Sequence, residues 1–380
     1  MPIAAALLRT WGISLPTADS RLNGSPNGTM MAAVYTGKGY ISVEPVPVPQ
    51  IGPGEILVRV EACGICHTDL KKVEHDLLPP PRIYGHESAG VVVQVGEGVT
   101  KYRTGDRVIA FHHIPCKKCF YCSKKLYAQC ETYKRVGITA GFEPAGGGFA
   151  QYIRVMDWIV RDGVELIPEG VSFEVASFVE PVNTCLKAVV EMNPQPGDVV
   201  LVQGQGPIGL LFTMLVKRTG ATVLATDAIP ERLALSRRFG AAESWDPRTE
   251  DVARLCKALT EGRGVDQVFV AASAKGIVDQ AIASSRPGGE ILLFAQTSDT
   301  ERIELSGADI CKMERTLLGC YSASVDLQAE SARLVFSGDL PVEDLVSHRL
   351  PLSEIREGIG LALHPDGKSL KIMVQPQRLS

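Results

Sequence analysis

Four cysteines with the spacing of metal ligands lie in one short segment of the chain, at Cys116, Cys119, Cys122 and Cys130. Four soft thiolate donors this close together are typical of a closed tetrahedral zinc site, which fixes a loop that has little regular structure of its own. The alternative, four buried unpaired thiols, is disfavoured because chance would not space them so evenly. The sequence therefore predicts a structural zinc lobe over residues 112–134.

A second group of metal-ligand residue types is spread along the chain. Cys66 lies in the segment GICHTD, His86 and Glu87 lie in GHE, and Glu180 lies in VEP. Each residue alone is weak support for a site. A single histidine is more often a core residue satisfied by a hydrogen bond, and a glutamate before a proline is more often a turn residue. These residues alone leave both interpretations open.

A glycine-rich turn follows the apolar run Val199–Val202. Its glycines stand in the frame G-x-G-x-x-G, with Pro207 and Ile208 between the last two, and the frame lies between a strand-like and a helix-like segment. The first glycine allows a tight turn, the second lets the backbone approach a pyrophosphate, and the third lets helix and strand pack closely. The phosphates would lie at the helix N-terminus. The motif predicts a dinucleotide site with glycines Gly204, Gly206 and Gly209.

The nature of the dinucleotide is indicated by Asp227, which ends the next apolar run, 18 residues after Gly209. A carboxylate here accepts hydrogen bonds from the adenosine ribose hydroxyls and repels a 2′-phosphate. Neither Arg nor Lys directly follows Asp227, so NAD is preferred over NADP. Arg232 lies either beside the adenine or on a solvated helix face.

The patterns of apolar residues differ between the two halves of the chain. The first half has short alternating strands with glycine-containing turns, which predict an antiparallel barrel-like domain. After Pro181, apolar runs alternate with helical stretches, which predicts βαβ units and a parallel sheet. The predicted strands are Glu55–Ala62, Val91–Val95, Arg107–Phe111, Val199–Val202, Thr222–Ala225, Gln267–Ala271 and Glu290–Phe294.

Chain length, net charge and cysteine spacing indicate which classes of protein the sequence can belong to. A chain of 380 residues is long enough for two domains, and its net charge of −4 gives no electrostatic support for nucleic-acid binding. No apolar run approaches the roughly 20 residues that span a bilayer. The cysteines are grouped as metal ligands, which favours a reducing, cytoplasmic compartment. We therefore expect a protein that acts on small molecules, with no nucleic-acid or membrane partner.

Residues 1–30 differ from the rest of the chain and end in NGSPNGTM, just before Met31. We interpret them as a disordered leader or a start-site artefact. The alternative is a targeting peptide, which the apolar stretch Ala4–Leu8 would allow, although no basic segment precedes that stretch.

Taken together, these motifs resemble the zinc-containing medium-chain alcohol and polyol dehydrogenase family, and the similarity runs through nearly all of residues 31–375. Besides the four cysteines, the segments that carry it are CGICHTDL at 63–70, GHESAGVVVQVG at 85–96, GDRV at 105–108, VEPV at 179–182 and GQGPIG at 204–209. The resemblance implies an α/β protein with a GroES-like β-barrel catalytic domain and a doubly wound Rossmann domain. The catalytic domain would span residues 31–183, the NAD-binding domain 184–320, and residues 321–380 would return to the catalytic domain.

The resemblance also implies the activity, a hydride transfer between an alcohol and NAD at a catalytic zinc ion. Cys66 and His86 match zinc ligands of the family. Glu180 stands where alcohol dehydrogenases carry a second cysteine and the polyol branches carry glutamate, so the resemblance favours a polyol or sugar alcohol as substrate. Glu87 is a second carboxylate that could ligate the metal, and the sequence does not decide between Glu87 and Glu180.

Further roles follow from the same resemblance. Thr68 would receive the substrate proton through its hydroxyl and pass it on along the ribose of the cofactor, and Asp69 would support the metal ligands. Lys71 occupies the place of a histidine that ends the proton relay in many relatives, so it either takes part in the relay or is merely exposed. Family members are usually homodimers or homotetramers.

Two other functions remain as alternatives. One is an alcohol dehydrogenase or aldehyde reductase for simple aliphatic or aromatic alcohols. The other is a non-catalytic zinc-binding or structural protein, in which the cysteine lobe acts as a zinc finger; a finger, however, would not bring an entire dinucleotide fold with it. Two zinc ions in each chain would favour the enzyme, and one would favour a purely structural site.

Overall fold

The computed structural model describes residues 28–135, 147–295 and 302–378. The chain divides into two compact units. The first comprises Met1–Glu180, Val346–His364 and Lys371–Ser380, and the second comprises Pro181–Leu345 and Pro365–Leu370. Residues 321–345, which the motifs assign to the returning segment, therefore lie in the second unit.

The strands are numbered in chain order. Their bounds are β1 Thr29–Gly37, β2 Tyr40–Pro47, β3 Ile56–Gly64, β4 Arg82–Ile83, β5 Glu87–Val95, β6 Arg107–Ala110, β7 Tyr152–Val155, β8 Val164–Leu166, β9 Val199–Gln203, β10 Thr222–Thr226, β11 Ala241–Trp245, β12 Val265–Val270, β13 Ser285–Leu293, β14 Thr316–Gly319, β15 Val346–Pro351 and β16 Lys371–Gln375.

The α-helices are numbered in the same way, and short 3₁₀ and π turns lie between them. Their bounds are α1 His67–Glu74, α2 Phe120–Ser123, α3 Glu131–Arg135, α4 Asp157–Asp162, α5 Phe173–Ser177, α6 Val179–Met192, α7 Pro207–Arg218, α8 Pro230–Arg238, α9 Val252–Ala258, α10 Ile277–Ser284, α11 Gln328–Phe336 and α12 Ile355–Leu363.

The first unit is built on a mainly antiparallel sheet. Its strands follow the order β15-β16-β3-β5-β6-β8, β7 also pairs with β3, and a smaller sheet has the order β2-β1-β4. In β3 the side chains of Val58 and Val60 are buried, whereas Arg59 and Glu61 between them are half-buried. This alternation confirms the half-buried strand that the sequence predicts here.

The second unit is a six-stranded parallel sheet with the order β11-β10-β9-β12-β13-β14. Counted within the unit, this is the order 3-2-1-4-5-6 of the doubly wound dinucleotide-binding fold. Its central strands β9, β10 and β12 are buried on both faces. The sheet contributes to one apolar core, in which Leu201, Leu224, Val268 and Ile291 are at most 1% exposed. The predicted βαβ alternation is confirmed, because each apolar run that the sequence singled out forms a strand.

Residues 1–27 of the predicted leader lie outside the described residues. The last residues of that segment do not behave as a leader, because Thr29 and Met30 begin β1 and Met30 is buried. No helix in the described segments combines the length and the apolar character that crossing a bilayer requires.

Candidate active site

The end of β3 and the start of β5 bring the first site residues together. The two strands are antiparallel, and Gly64 lies opposite Glu87 in their register. A Cβ atom on Gly64 would come within 1.9 Å of the Glu87 carboxylate, so only glycine allows this carboxylate to sit beside the end of β3. Cys66 follows two residues later and forms the N-cap of α1.

Asp69 organises this region from the first turn of α1. Its side chain is 2% exposed. One carboxylate oxygen accepts a hydrogen bond from the Cys66 backbone N–H (3.3 Å), and the other accepts from His86 Nδ1 (3.1 Å) and from the Gly85 N–H (3.4 Å). Because Asp69 engages Nδ1, the Nε2 atom of His86 is left for a metal ion.

Cys66, His86 and Glu87 form a group that can hold a metal ion, because one ligand atom of each lies within 4.8 Å of the others. Burial disfavours a charged imidazole, yet the charges of Asp69 and Cys66 outweigh this effect and raise the pKa of His86 well above its ordinary value. These groups therefore stabilise a positive charge at this position. A divalent cation supplies such a charge, and thiolate, imidazole and carboxylate are the donors that zinc prefers.

Glu87 has a partner of its own. The Lys371 ammonium donates to both carboxylate oxygens, at 2.7 and 2.6 Å, and both side chains are almost completely buried. Burial opposes the charge on Lys371, but Glu87 outweighs it and raises the pKa of that lysine. Lys371 is the first residue of β16, which pairs with the end of β3.

Glu180 lies in the first turn of α6 and contacts a different residue. Its Oε1 atom is 3.3 Å from His113 Nε2, and both side chains are buried. Burial raises the pKa of Glu180 to about 7. Glu180 does not belong to the three-residue group of ligand atoms found among the described residues.

Thr68 and Lys71 lie on α1, close in sequence to Cys66. Both are half-buried, whereas His67 is exposed. A fully exposed Lys71 was one of the two interpretations of the sequence, and the structure does not favour it.

The four-cysteine lobe is compact. Its sulfur atoms all lie within 4.8 Å of one another, with Cys119 Sγ 3.4 Å and Cys116 Sγ 4.0 Å from Cys122 Sγ. Zinc–sulfur bonds of 2.3 Å in a tetrahedron place sulfur atoms roughly 3.8 Å apart. The observed spacings bracket that value, so the residues fit a zinc ion.

Two other features of the lobe suit a metal-bound loop. The backbone N–H of Lys118 lowers the pKa of the Cys116 thiol to about 6, which favours the thiolate form that binds metals. Lys117 and Lys125 have positive φ angles of 61° and 58°, a strained conformation that persists only where the surroundings fix it.

The glycine turn has the geometry of a dinucleotide cradle. A Cβ on Gly204, whose φ is +89°, would lie 2.5 Å from Ala272 Cβ, and one on Gly209 would lie 1.7 Å from the Gly204 carbonyl oxygen. Gly206 is the N-cap of α7, with Pro207 in the first turn and Ile208 after it. The backbone N–H groups at this helix start are available to bind phosphate oxygens.

Asp227 lies at the end of β10, beside this turn. Its Oδ2 accepts a hydrogen bond from the Gln205 N–H (2.6 Å) and its Oδ1 accepts one from the Ile229 N–H (2.8 Å). These bonds fix the carboxylate next to the glycine turn, where an adenosine ribose would lie in this fold.

Arg232 corrects one interpretation of the sequence. A solvated helix charge was an open alternative, but the side chain is only 14% exposed. Its Nη2 donates to the Ser369 carbonyl oxygen (3.0 Å), and its Nη1 lies 4.0 Å from Asp227 Oδ2. A Cβ on Gly206 would lie 3.7 Å from Nη1. Arg232 therefore faces the glycine turn instead of solvent, because the Asp227 charge and the Ser369 carbonyl hold it there.

Sequence reasoning missed three residues that contact the candidate ligands: Lys371, His113 and His112. Lys371 gave a weak signal, as a charged residue at the start of the otherwise apolar strand KIMV. The two histidines gave a clearer signal, since they are consecutive and begin the predicted lobe, shortly before its first cysteine. The ring centroid of His112 lies 5.5 Å from that of His86.

Comparison with known proteins agrees with this geometry. Residues 52–163 match the family model of the alcohol dehydrogenase GroES-like domain, and residues 207–336 match that of the zinc-binding dehydrogenases. The chain is 31% identical to sorbitol dehydrogenase of Bacillus subtilis, over 92% of this chain and 98% of the relative. It is 29% identical to (R,R)-butanediol dehydrogenase of Neisseria gonorrhoeae, over 91% and 99%.

Among solved structures, a zinc-binding dehydrogenase of Sinorhizobium meliloti bound to NADP superposes with a TM-score of 0.83 at 29% identity, covering 92% of this chain and all of the other. The predicted α/β fold, with a GroES-like domain and a Rossmann domain, is confirmed. So is the prediction of an enzyme that acts on a small-molecule alcohol with zinc and a pyridine nucleotide. The chain belongs to the zinc-containing medium-chain alcohol and polyol dehydrogenase family.

Proposed function

We propose that this chain is an NAD-dependent polyol dehydrogenase with one catalytic and one structural zinc ion. The observation that carries the proposal is the group of Cys66, His86 and Glu87, whose ligand atoms converge within 4.8 Å. Residues 31–183 would form the catalytic domain and residues 184–320 the NAD-binding domain. Of the segment 321–380, residues 321–345 lie in the same unit as the NAD-binding domain, and Val346–His364 and Lys371–Ser380 return to the catalytic unit. The similarity to a sorbitol and a butanediol dehydrogenase supports a substrate with neighbouring hydroxyl groups.

Cys66 and His86 would hold the catalytic zinc, with Glu180 as the third protein ligand. Glu87 has a ligand atom within 4.8 Å of those of Cys66 and His86, but Lys371 binds both of its carboxylate oxygens. A metal ion would therefore have to compete with a buried ammonium for that carboxylate. In this assignment the Glu87–Lys371 pair does not bind the metal ion. It fixes the end of β3 next to the zinc ligands.

When bound, zinc supplies a Lewis acid that lowers the pKa of the substrate hydroxyl, and NAD accepts the hydride. The side chains of this chain do the remaining work. From its place in the first turn of α1, Thr68 would accept the proton of the substrate hydroxyl and release its own hydroxyl proton to the ribose of the cofactor. Asp69 would fix the tautomer of His86 and the position of the Cys66 backbone through its three hydrogen bonds.

The glycine turn would bind the pyrophosphate of the cofactor at the start of α7. Its residues are Gly204, Gly206, Pro207, Ile208 and Gly209. Asp227 would accept hydrogen bonds from the adenosine ribose, and Arg232 would line the same side of the cradle. The negative charge of Asp227 supports NAD over NADP, because it would repel a 2′-phosphate.

Substitution of Asp227 tests this preference. Asp227→Asn keeps an oxygen acceptor but removes the charge, so we expect kcat/KM with NAD to fall about 10- to 100-fold, the effect of losing charge-assisted hydrogen bonds. The ratio of NADP to NAD activity should rise by at least that factor. The measurement is steady-state kinetics with both cofactors at one fixed alcohol concentration.

Asp246→Asn is the matched control, because Asp246 is bound to Arg248 at the end of the neighbouring strand β11. It should leave the cofactor ratio unchanged. A wild-type enzyme that uses NADP as well as NAD would contradict the assignment of Asp227.

We also infer a homodimer or homotetramer in the cytoplasm. Among the described residues, strand β14 ends the parallel sheet beside β13, and Leu317 and Leu318 are half-buried there, which supports strand pairing with a second copy. The grouping of four cysteines as candidate metal ligands supports a reducing compartment. Light scattering on the purified full chain would give the oligomeric state.

The function itself is tested with a substrate panel of sorbitol, 2,3-butanediol, threonine, ethanol and benzyl alcohol, following NAD reduction. We expect kcat/KM for a polyol or diol to exceed that for ethanol and benzyl alcohol. Higher activity with ethanol or benzyl alcohol would favour a simple alcohol dehydrogenase. No turnover of any alcohol, with both zinc ions bound, would overturn the proposal.

A further inference from the structure

We propose that His113 is a positioning residue that holds the Glu180 carboxylate at the metal centre. The proposal rests on the proposed function, since it takes Cys66 and His86 as zinc ligands. It adds a role for a residue outside the motifs that indicate the family, and it gives Glu180 a defined partner.

The contact joins two parts of the chain that are distant in sequence. His113 follows the end of β6, and Glu180 lies in the first turn of α6. His113 Nε2 and Glu180 Oε1 are 3.3 Å apart, and the two side chains are 7% and 10% exposed. A carboxylate this deeply buried needs a polar partner, because an uncompensated buried charge is strongly unfavourable. The imidazole provides that partner at Oε1 of the carboxylate.

The imidazole is itself held in place by aromatic rings. The ring centroids of Phe111, His112 and Tyr133 lie 5.1, 4.0 and 5.1 Å from that of His113. A ring packed against three others has little freedom to rotate. His113 can therefore fix the carboxylate that it contacts.

The two carboxylates of the site consequently have separate partners. Glu87 is bound by Lys371, and Glu180 is contacted by His113. Like charges at one site repel each other. A distinct cation or donor for each carboxylate keeps the two groups apart and in defined positions. Ligating carboxylates are commonly hydrogen-bonded by a residue behind them, and loss of that residue typically costs 10- to 100-fold in metal affinity.

The experiment measures zinc affinity by chelator competition, together with the visible absorption spectrum after cobalt replaces the catalytic zinc. The variants are His113→Leu, which removes the donor, and His113→Gln, whose amide nitrogen can replace Nε2. We expect His113→Leu to weaken binding at the catalytic site by about 10- to 100-fold and to change the cobalt spectrum, and His113→Gln to recover most of both. His75→Leu is the control, because His75 lies 3.8 Å from Glu74 on the surface.

Two further comparisons separate positioning from general damage. In a Glu180→Gln background, His113→Leu should have little additional effect on zinc affinity, since the carboxylate that His113 positions is gone. The zinc of the four-cysteine lobe should remain bound in every variant and reports that the unit is folded.

The outcomes are distinguishable. Unchanged affinity and spectrum in His113→Leu, with two zinc ions in the wild-type protein, would overturn the role of His113 alone. The same loss in the Glu180→Gln background as in the wild type would also overturn it. A wild-type protein with zinc only in the cysteine lobe would instead overturn the proposed function.

Discussion

Replacement of Cys66 with alanine is expected to reduce the zinc content from two ions per chain to one and to lower kcat/KM by about 10³-fold or more. The loss corresponds to the several kcal/mol of transition-state stabilisation that a Lewis-acid metal provides. Cys66 is the thiolate of the predicted catalytic group, and its backbone N–H is bound to Asp69. Zinc content is measured by atomic emission, and activity by NAD reduction with the best alcohol of the panel.

Two matched variants make this result specific. Cys122→Ala should also leave one zinc ion, but it removes the ion of the cysteine lobe, so it should lower the melting temperature. Cys185→Ala should keep both ions, because Cys185 is buried and does not belong to either group of candidate ligands among the described residues. A Cys66→Ala protein that kept two zinc ions and wild-type activity would contradict the site.

Replacement of Lys371 with methionine is expected to lower the free energy of unfolding by about 3–5 kcal/mol. The substitution leaves the buried Glu87 carboxylate without its cation, and breaking one side of a buried ion pair typically has this cost. Lys371 and Glu87 are 4% and 1% exposed, so water cannot replace the ammonium. Urea unfolding monitored by circular dichroism gives the value.

The double variant Glu87→Gln/Lys371→Met separates charge from packing. Because it removes both charges, it should recover most of the stability lost in the single variant. Recovery of less than half, or a single-variant cost below about 1 kcal/mol, would show that the pair does not compensate a buried charge.

The fold was largely predictable from local patterns. The apolar runs that become β9, β10, β12 and β13 are short and bounded by turn residues, and the glycine frame lies where β9 meets α7. Each glycine in that frame has a steric reason that sequence reasoning can state in advance. The βαβ repeat predicts a parallel sheet, whereas its doubly wound order was implied only by the resemblance to the family.

Of the candidate site, only the residues that lie within sequence motifs were predictable. Cys66, His86 and Asp69 lie in short segments whose residue types indicate metal chemistry, and the structure brings these segments together. The partners of the two carboxylates were not predictable, because they depend on contacts across long sequence separations. Lys371 and Glu87 are 284 positions apart, and neither sequence position alone indicates an ion pair.

The sequence alone could not decide which of the two carboxylates, Glu87 or Glu180, is the metal ligand. Glu87 and Glu180 are both buried, and both lie in motifs of the family. Their difference lies in what contacts them, an ammonium for Glu87 and an imidazole for Glu180. Such a difference arises from tertiary packing, since β16 brings Lys371 to the end of β3.

The most direct test is anomalous X-ray diffraction at the zinc edge, on crystals of the full chain grown with NAD. We predict one peak among the four cysteine sulfurs and a second about 2.3 Å from Cys66 Sγ and about 2.1 Å from His86 Nε2, with a Glu180 oxygen completing the ligands. A map with density only in the cysteine lobe, or a second peak that does not contact both Cys66 and His86, would contradict the catalytic zinc site.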